Sequence, residues 1–86
     1  MSQESPQPVR VVIPENLWEP HGGEEAVLIA WLAQDGASVE AGEVIAEIMV
    51  EKVTIDIEAP ASGRLAIVTP VDTPVHLGDV LATIYP

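Results

Sequence analysis

The chain has no cysteine, no phenylalanine, only two histidines, and just three Lys+Arg among 86 residues. Without cysteine there is no disulfide framework, no thiolate metal site and no thiol nucleophile. Two histidines are too few to suggest a metal centre held by the protein. Against three cations stand 14 Asp+Glu, for a formal net charge of −11. That balance speaks against nucleic acid, which needs a basic face to displace counterions, and against an anionic membrane surface. No apolar run approaches the roughly 20 residues of a membrane span. Met1 to Arg10 has neither an apolar signal core nor the Arg-rich character of a transit peptide. The expectation is a cytoplasmic, non-membrane protein, monomeric as an isolated domain, that meets its partners through their basic patches.

What is present is β-branched. Hydrophobic residues make up 48% of the chain, including 12 Val and 8 Ile. Branched side chains lose rotamer freedom in a helix and fit a pleated surface, so this core favours strands. One domain is all this length allows, with a single thin core. Residues 1–8 (MSQESPQP) read as a loose polar tail, and 9–86 as the domain.

Within 9–86, short apolar runs alternate with turn signals. Strands are predicted at Val9–Ile13, Ala26–Leu32, Val39, Val44–Val50, Val53–Glu58, Leu65–Val68, Val75 and Val80–Tyr85. Between them, 16–23 reads as a loop and Gln34–Gly36, Ala41-Gly42 and Pro60–Gly63 as turns. Val53–Glu58 alternates strictly, with Val53, Ile55 and Ile57 on one face and Thr54, Asp56 and Glu58 on the other. Many short strands without helical periodicity indicate a sandwich or barrel.

The chain also repeats itself. Ser38–Ile48 lies over Pro74–Ile84 at an offset of 36 residues, matching Val39 with Val75, Gly42 with Gly78, Val44 with Val80, Ala46 with Ala82 and Ile48 with Ile84. Two matching halves imply a pseudo-two-fold fold. The first half runs on through Glu51-Lys52 into another strand, whereas the second ends at Pro86. The Lys52 turn is therefore expected at one side of the pseudo-symmetry and the chain termini at the matching point on the other.

Lys52 is the only lysine in the chain. It falls between two strands joined through Glu51-Lys52. That is hairpin spacing, and because Glu-Lys is a poor type I′ pair, a type I turn over Val50–Val53 is expected. At the tip the amine would project into water on a flexible four-carbon stem, accessible to an acylating enzyme. By itself this position also suits a solvated turn lysine with no role. Asp56 and Glu58 read first as a solvated strand face, with an acidic surface for partners as the functional alternative. His21 and His76 have no triad partners at recognisable spacing. Ser62 reads as a turn residue, so catalysis is assigned to none of them.

The ordered set of residues around Lys52 resembles the biotinyl/lipoyl attachment domain family, the lipoyl domains of 2-oxoacid dehydrogenase acyltransferase components in particular. Val12-Ile13-Pro14 is similar to the family's opening strand. Trp31-Leu32, Asp35-Gly36, Val39, Gly42-Glu43 and Ile45–Ile48 follow its first half, and Lys52 falls at the modified lysine. Ala59–Gly63, Val75, Gly78-Asp79, Leu81 and Ile84 resemble its close.

The resemblance implies an all-β fold, a flattened barrel or sandwich of two four-stranded antiparallel sheets with the lysine on a protruding hairpin. It implies lipoate covalently attached to Lys52, with Glu51 and Val53 read by the lipoate ligase or lipoyltransferase. Biotinylated members carry Met on both sides of the lysine, while lipoylated ones carry an acidic residue before it and a small apolar one after, as Glu51-Lys52-Val53 does. Val53 in place of Ala, and Met49-Val50 in place of Glu-Thr, depart from the commonest lipoyl pattern. So do the loop 16–25, near the lysine in the family, and the segment 69–75. Trp18 is either a partner contact or, preferably, a ring packed locally.

The implied role is a carrier rather than an enzyme. Its partners would be a thiamine-diphosphate-dependent 2-oxoacid dehydrogenase, an acyltransferase core and a dihydrolipoamide dehydrogenase. The alternatives are an unmodified interaction module and a biotinyl carrier of a carboxylase.

Overall fold

The computed structural model describes residues 7–15, 17–18 and 26–86. Eight strands follow in order: β1 Val9–Val12, β2 Ala26–Trp31, β3 Ser38–Val39, β4 Val44–Val50, β5 Val53–Glu58, β6 Gly63–Ile67, β7 Thr73–Val75 and β8 Val80–Tyr85. They form two four-stranded sheets, β1-β8-β6-β3 and β5-β4-β2-β7, and every pairing is antiparallel. No helix among the described residues is long and apolar enough to cross a membrane.

The expected all-β double sheet is what forms, because period-two apolar residues from both sheets meet in one core. Val11, Ile13, Leu28, Ile45, Ile48, Leu65, Leu81 and Ile84 are almost wholly buried. Among the described residues no polar or charged side chain is buried with them, so desolvated polar groups do not penalise this core. Trp18 packs against the core, as does Trp31, whose indole N–H donates to the Thr69 carbonyl at 2.8 Å. The local packing preferred for Trp18 is thus what is seen. The remainder of the 16–25 loop, Leu17 and Trp18 apart, lies outside the described residues.

The repeat is a structural pseudo-two-fold. β2, β3 and β4 map onto β6, β7 and β8, and β5 maps onto β1, so each sheet reproduces the other's order. The correspondence extends to individual bonds. In one half Glu43 N–H donates to the Glu40 carbonyl at 2.9 Å and Gly42 N–H to the Ala59 carbonyl at 2.8 Å. In the other, Asp79 donates to His76 at 3.0 Å and Gly78 to Ile13 at 2.8 Å. The side chains Glu43 and Asp79 close these turns alike, accepting from the N–H of Glu40 and His76. Ser62, read as a turn residue, accepts from the Ala41 N–H at 3.0 Å.

Several strand bounds shift by one or two residues, β1 and β2 ending at Val12 and Trp31 and β3 and β7 beginning at Ser38 and Thr73. The strand foreseen at Leu65–Val68 runs from Gly63 to Ile67, so the turn after β5 ends one residue earlier than Gly63. Pro74 lies within β7 rather than in a loop. β7 is the last strand of its sheet, and an edge position tolerates a residue with no N–H to donate.

Candidate functional site

β4 and β5 build the site. They pair from Val44↔Glu58 to Val50↔Val53, so Glu51 and Lys52 make up the whole loop. The irregularity in this ladder lies between Val44 and Ala46, at the far end, and the tip is a regular two-residue hairpin.

Burial declines along the inward face of β5: Ile57 is 5% exposed and Val53 60%, with Ile55 between. The β5 side of the hairpin thus leaves the core towards the tip, while on β4 Val50 stays in it at 7% exposed, and the loop residues Glu51 and Lys52 are both exposed. The ladder up to Val50↔Val53 anchors the two exposed loop residues to a buried strand end. Among the described residues no carboxylate forms an ion pair with Lys52.

The turn type differs from expectation. Type I requires negative φ at both central residues, yet Glu51 has φ 57°. A positive φ at the first central residue belongs to the primed hairpin turns, whose twist matches that of the flanking strands. The ladder imposes this conformation in spite of the side chain: Val50↔Val53 closes the register and leaves two residues to reverse the chain.

Sequence reasoning brought Glu51, Lys52 and Val53 together, and the hairpin holds them contiguous. Met49, a departure from the commonest lipoyl pattern, and Thr54, expected on the polar face, face each other on the outer side beside the tip, both exposed. Further along that face Asp56 and Glu58 are exposed, as the solvated-face reading holds. Asp56 stands directly opposite Glu47. Like charges in this position repel, so Asp56→Lys should stabilise the fold by about 0.5 kcal/mol. Thermal unfolding would show this as a Tm rise of roughly 2–4 °C.

Comparison with known proteins covers most of the chain. A family model described as biotin-requiring enzyme matches residues 17–84. The chain is 53% identical over 47 residues to the dihydrolipoyllysine-residue succinyltransferase component of 2-oxoglutarate dehydrogenase complex 1, mitochondrial, of Arabidopsis thaliana, covering 51% of this chain and 10% of the relative. It is 45% identical over 51 residues to the dihydrolipoyllysine-residue acetyltransferase component of the pyruvate dehydrogenase complex of Rhizobium meliloti, covering 58% and 11%. With the lipoamide acyltransferase component of the branched-chain alpha-keto acid dehydrogenase complex of Pseudomonas aeruginosa it shares 41% over 44 residues, covering 51% and 10%. The chain therefore spans about one tenth of the length of these relatives.

Proposed function

We propose, for a chain that belongs to the biotin-requiring enzyme family of biotinyl/lipoyl attachment domains, that Lys52 carries a lipoyl group in amide linkage. The observation that carries the reading is the placement of the sole lysine, exposed, in the two-residue loop that closes the β4–β5 hairpin. Nothing in the described structure obstructs an enzyme approaching the amine. The flanks favour lipoate over biotin, since Glu51 and Val53 occupy the positions where biotinylated members carry Met. The three relatives are components of 2-oxoacid dehydrogenase complexes by name, and we place this domain in the same chemistry.

Bound there, lipoate supplies a disulfide that accepts an acyl group with two electrons and passes them on. The chain's own contribution is mechanical. β4 and β5 fix the root of the arm, and the four-carbon stem of Lys52 adds reach. Tethering raises the arm's effective concentration at each site it visits. The absence of cysteine means no protein thiol competes in disulfide exchange. Catalysis rests with the partners: a thiamine-diphosphate-dependent 2-oxoacid dehydrogenase, an acyltransferase core and a dihydrolipoamide dehydrogenase, with a lipoate ligase loading the arm. The acidic face of Asp56, Glu58 and Glu47 suits basic docking patches on those partners.

Intact mass after incubation with lipoate, ATP and a lipoate ligase tests the assignment. A single lipoyl-sized adduct is expected on the wild-type chain and none on Lys52→Arg. An adduct that survives in Lys52→Arg overturns the site. A biotin-sized adduct formed only with biotin ligase moves the protein to carboxylase chemistry.

A further inference from the structure

The tip of the hairpin holds a conformation that its residues do not favour. Among the described residues, Glu51 and Asp72 are the two non-glycine residues with positive φ, at 57° and 64°. Asp72 is easily understood. It occupies the position equivalent to Gly36 in the other half (φ 88°), and a short Asp side chain tolerates the left-handed region. Its N–H also donates to the Leu28 carbonyl at 2.7 Å, which anchors the turn. Glu51 has none of this support. Its side chain is a carbon longer, and its carboxylate accepts no hydrogen bond from any described residue. Strain of this kind persists only where the surroundings impose it, and it lies immediately before Lys52.

We propose that Glu51 is a positioning residue for modification of Lys52, through its left-handed backbone and not through its carboxylate. This rests on the lipoyl reading of Lys52. Positive φ at Glu51 gives the loop the twist of its strands, so Val50 and Val53 stay paired to the last residue. With negative φ there, the turn would become one that splays the strands, and Lys52 would leave the tip in another direction. A modifying enzyme that recognises the folded hairpin binds only the fraction of molecules presenting the lysine correctly. Its apparent affinity scales with that fraction.

The test is steady-state lipoylation of the whole chain by a lipoate ligase with lipoate and ATP, on the wild type and on Glu51→Gln, Glu51→Asn, Glu51→Gly and Glu51→Val. The intraresidue HN–Hα NOE of residue 51, strong only at positive φ, read with the HN–Hα coupling, reports φ in each. Gln, Asn and Gly variants should keep positive φ and a KM for the domain within about twofold of wild type. The β-branched Val variant should leave positive φ and raise KM about tenfold at unchanged kcat. An equal loss in all four variants would show that the carboxylate is read, overturning the proposal. So would wild-type kinetics in a Val variant whose NOE and coupling show negative φ. Failure of the wild-type chain to accept lipoate overturns the lipoyl reading and this proposal together, whereas a wrong ranking among variants overturns this proposal alone.

Discussion

A chain whose lysine is moved one residue along the hairpin, by combining Glu51→Lys with Lys52→Glu, should be lipoylated at least about a hundredfold more slowly than wild type, since misplacing a reacting group by about an ångström is enough for such a loss. The exchange preserves composition, net charge and loop length. Only the position of the amine changes. In a two-residue loop the two central side chains diverge, and here the first carries φ 57° while the second does not share that region. An amine at position 51 leaves the tip from a different backbone conformation, displaced by a full residue. Thermal unfolding should shift by no more than about 4 °C, because both side chains are exposed and Lys at position 51 meets the same backbone conformation that Glu does, so the exchange stays within about 0.5 kcal/mol. Equal lipoylation rates for the two chains would mean that the ligase reads the flanking residues as an unfolded peptide, and that the hairpin contributes nothing to recognition.

The largest effect on stability is expected from Gly63→Ala. A Cβ at this position would stand 2.5 Å from the Tyr85 carbonyl oxygen, 2.8 Å from Ile84 Cγ2 and 2.8 Å from Pro86 Cα. Two of these are backbone atoms of the neighbouring chain, which cannot turn aside as a flexible side chain can. β6 and β8 would have to separate where Arg64 pairs with Tyr85 and Leu65 with Ile84, and both Leu65 and Ile84 lie at the centre of the core. Overpacking of this kind is destabilising by about 2–3 kcal/mol, a fall in Tm of roughly 10–20 °C for a domain of this size. Gly42→Ala is the control. Gly42 has φ 89° but open space around it, so it bears the conformational penalty alone, about 1 kcal/mol. If the two substitutions are equally destabilising in denaturant unfolding, the close approach of β6 to the end of β8 is not what requires glycine.

The sequence was most legible where side-chain period and repeat agreed. Val44–Val50, Val53–Glu58 and Val80–Tyr85 were bounded as observed, because each is a run of β-branched residues between turn signals. The internal repeat specified the pairing of one sheet from that of the other. The position of Lys52 at a hairpin tip was legible for the same reason, being the one gap between two such runs. What could not be read depended on neighbours distant in the chain. Nothing near Gly63 in sequence indicates that Tyr85 and Pro86 press against it, so it read as the end of a turn. Pro74 is a strand residue only because β7 lies at a sheet edge, which is known once the order of strands is known. The left-handed backbone of Glu51 had no signal at all. Glycine or asparagine announces such a conformation, and here the register of two strands imposes it on a residue that does not.

The pseudo-two-fold allows the domain to be rewired. Ile84 faces Val9 as Ile48 faces Ile55; continued two residues outward, the same register sets Pro86 opposite Gln7 in the place where Val50 meets Val53. A circular permutant that joins Pro86 to Gln7 through Glu-Lys, and opens the chain at the Asp72 turn, would close a second two-residue hairpin at the opposite pole. One small barrel would then hold two lysine tips facing away from each other. The pseudo-two-fold thus sets the start of β1 and the end of β8 at the counterpart of the lysine tip.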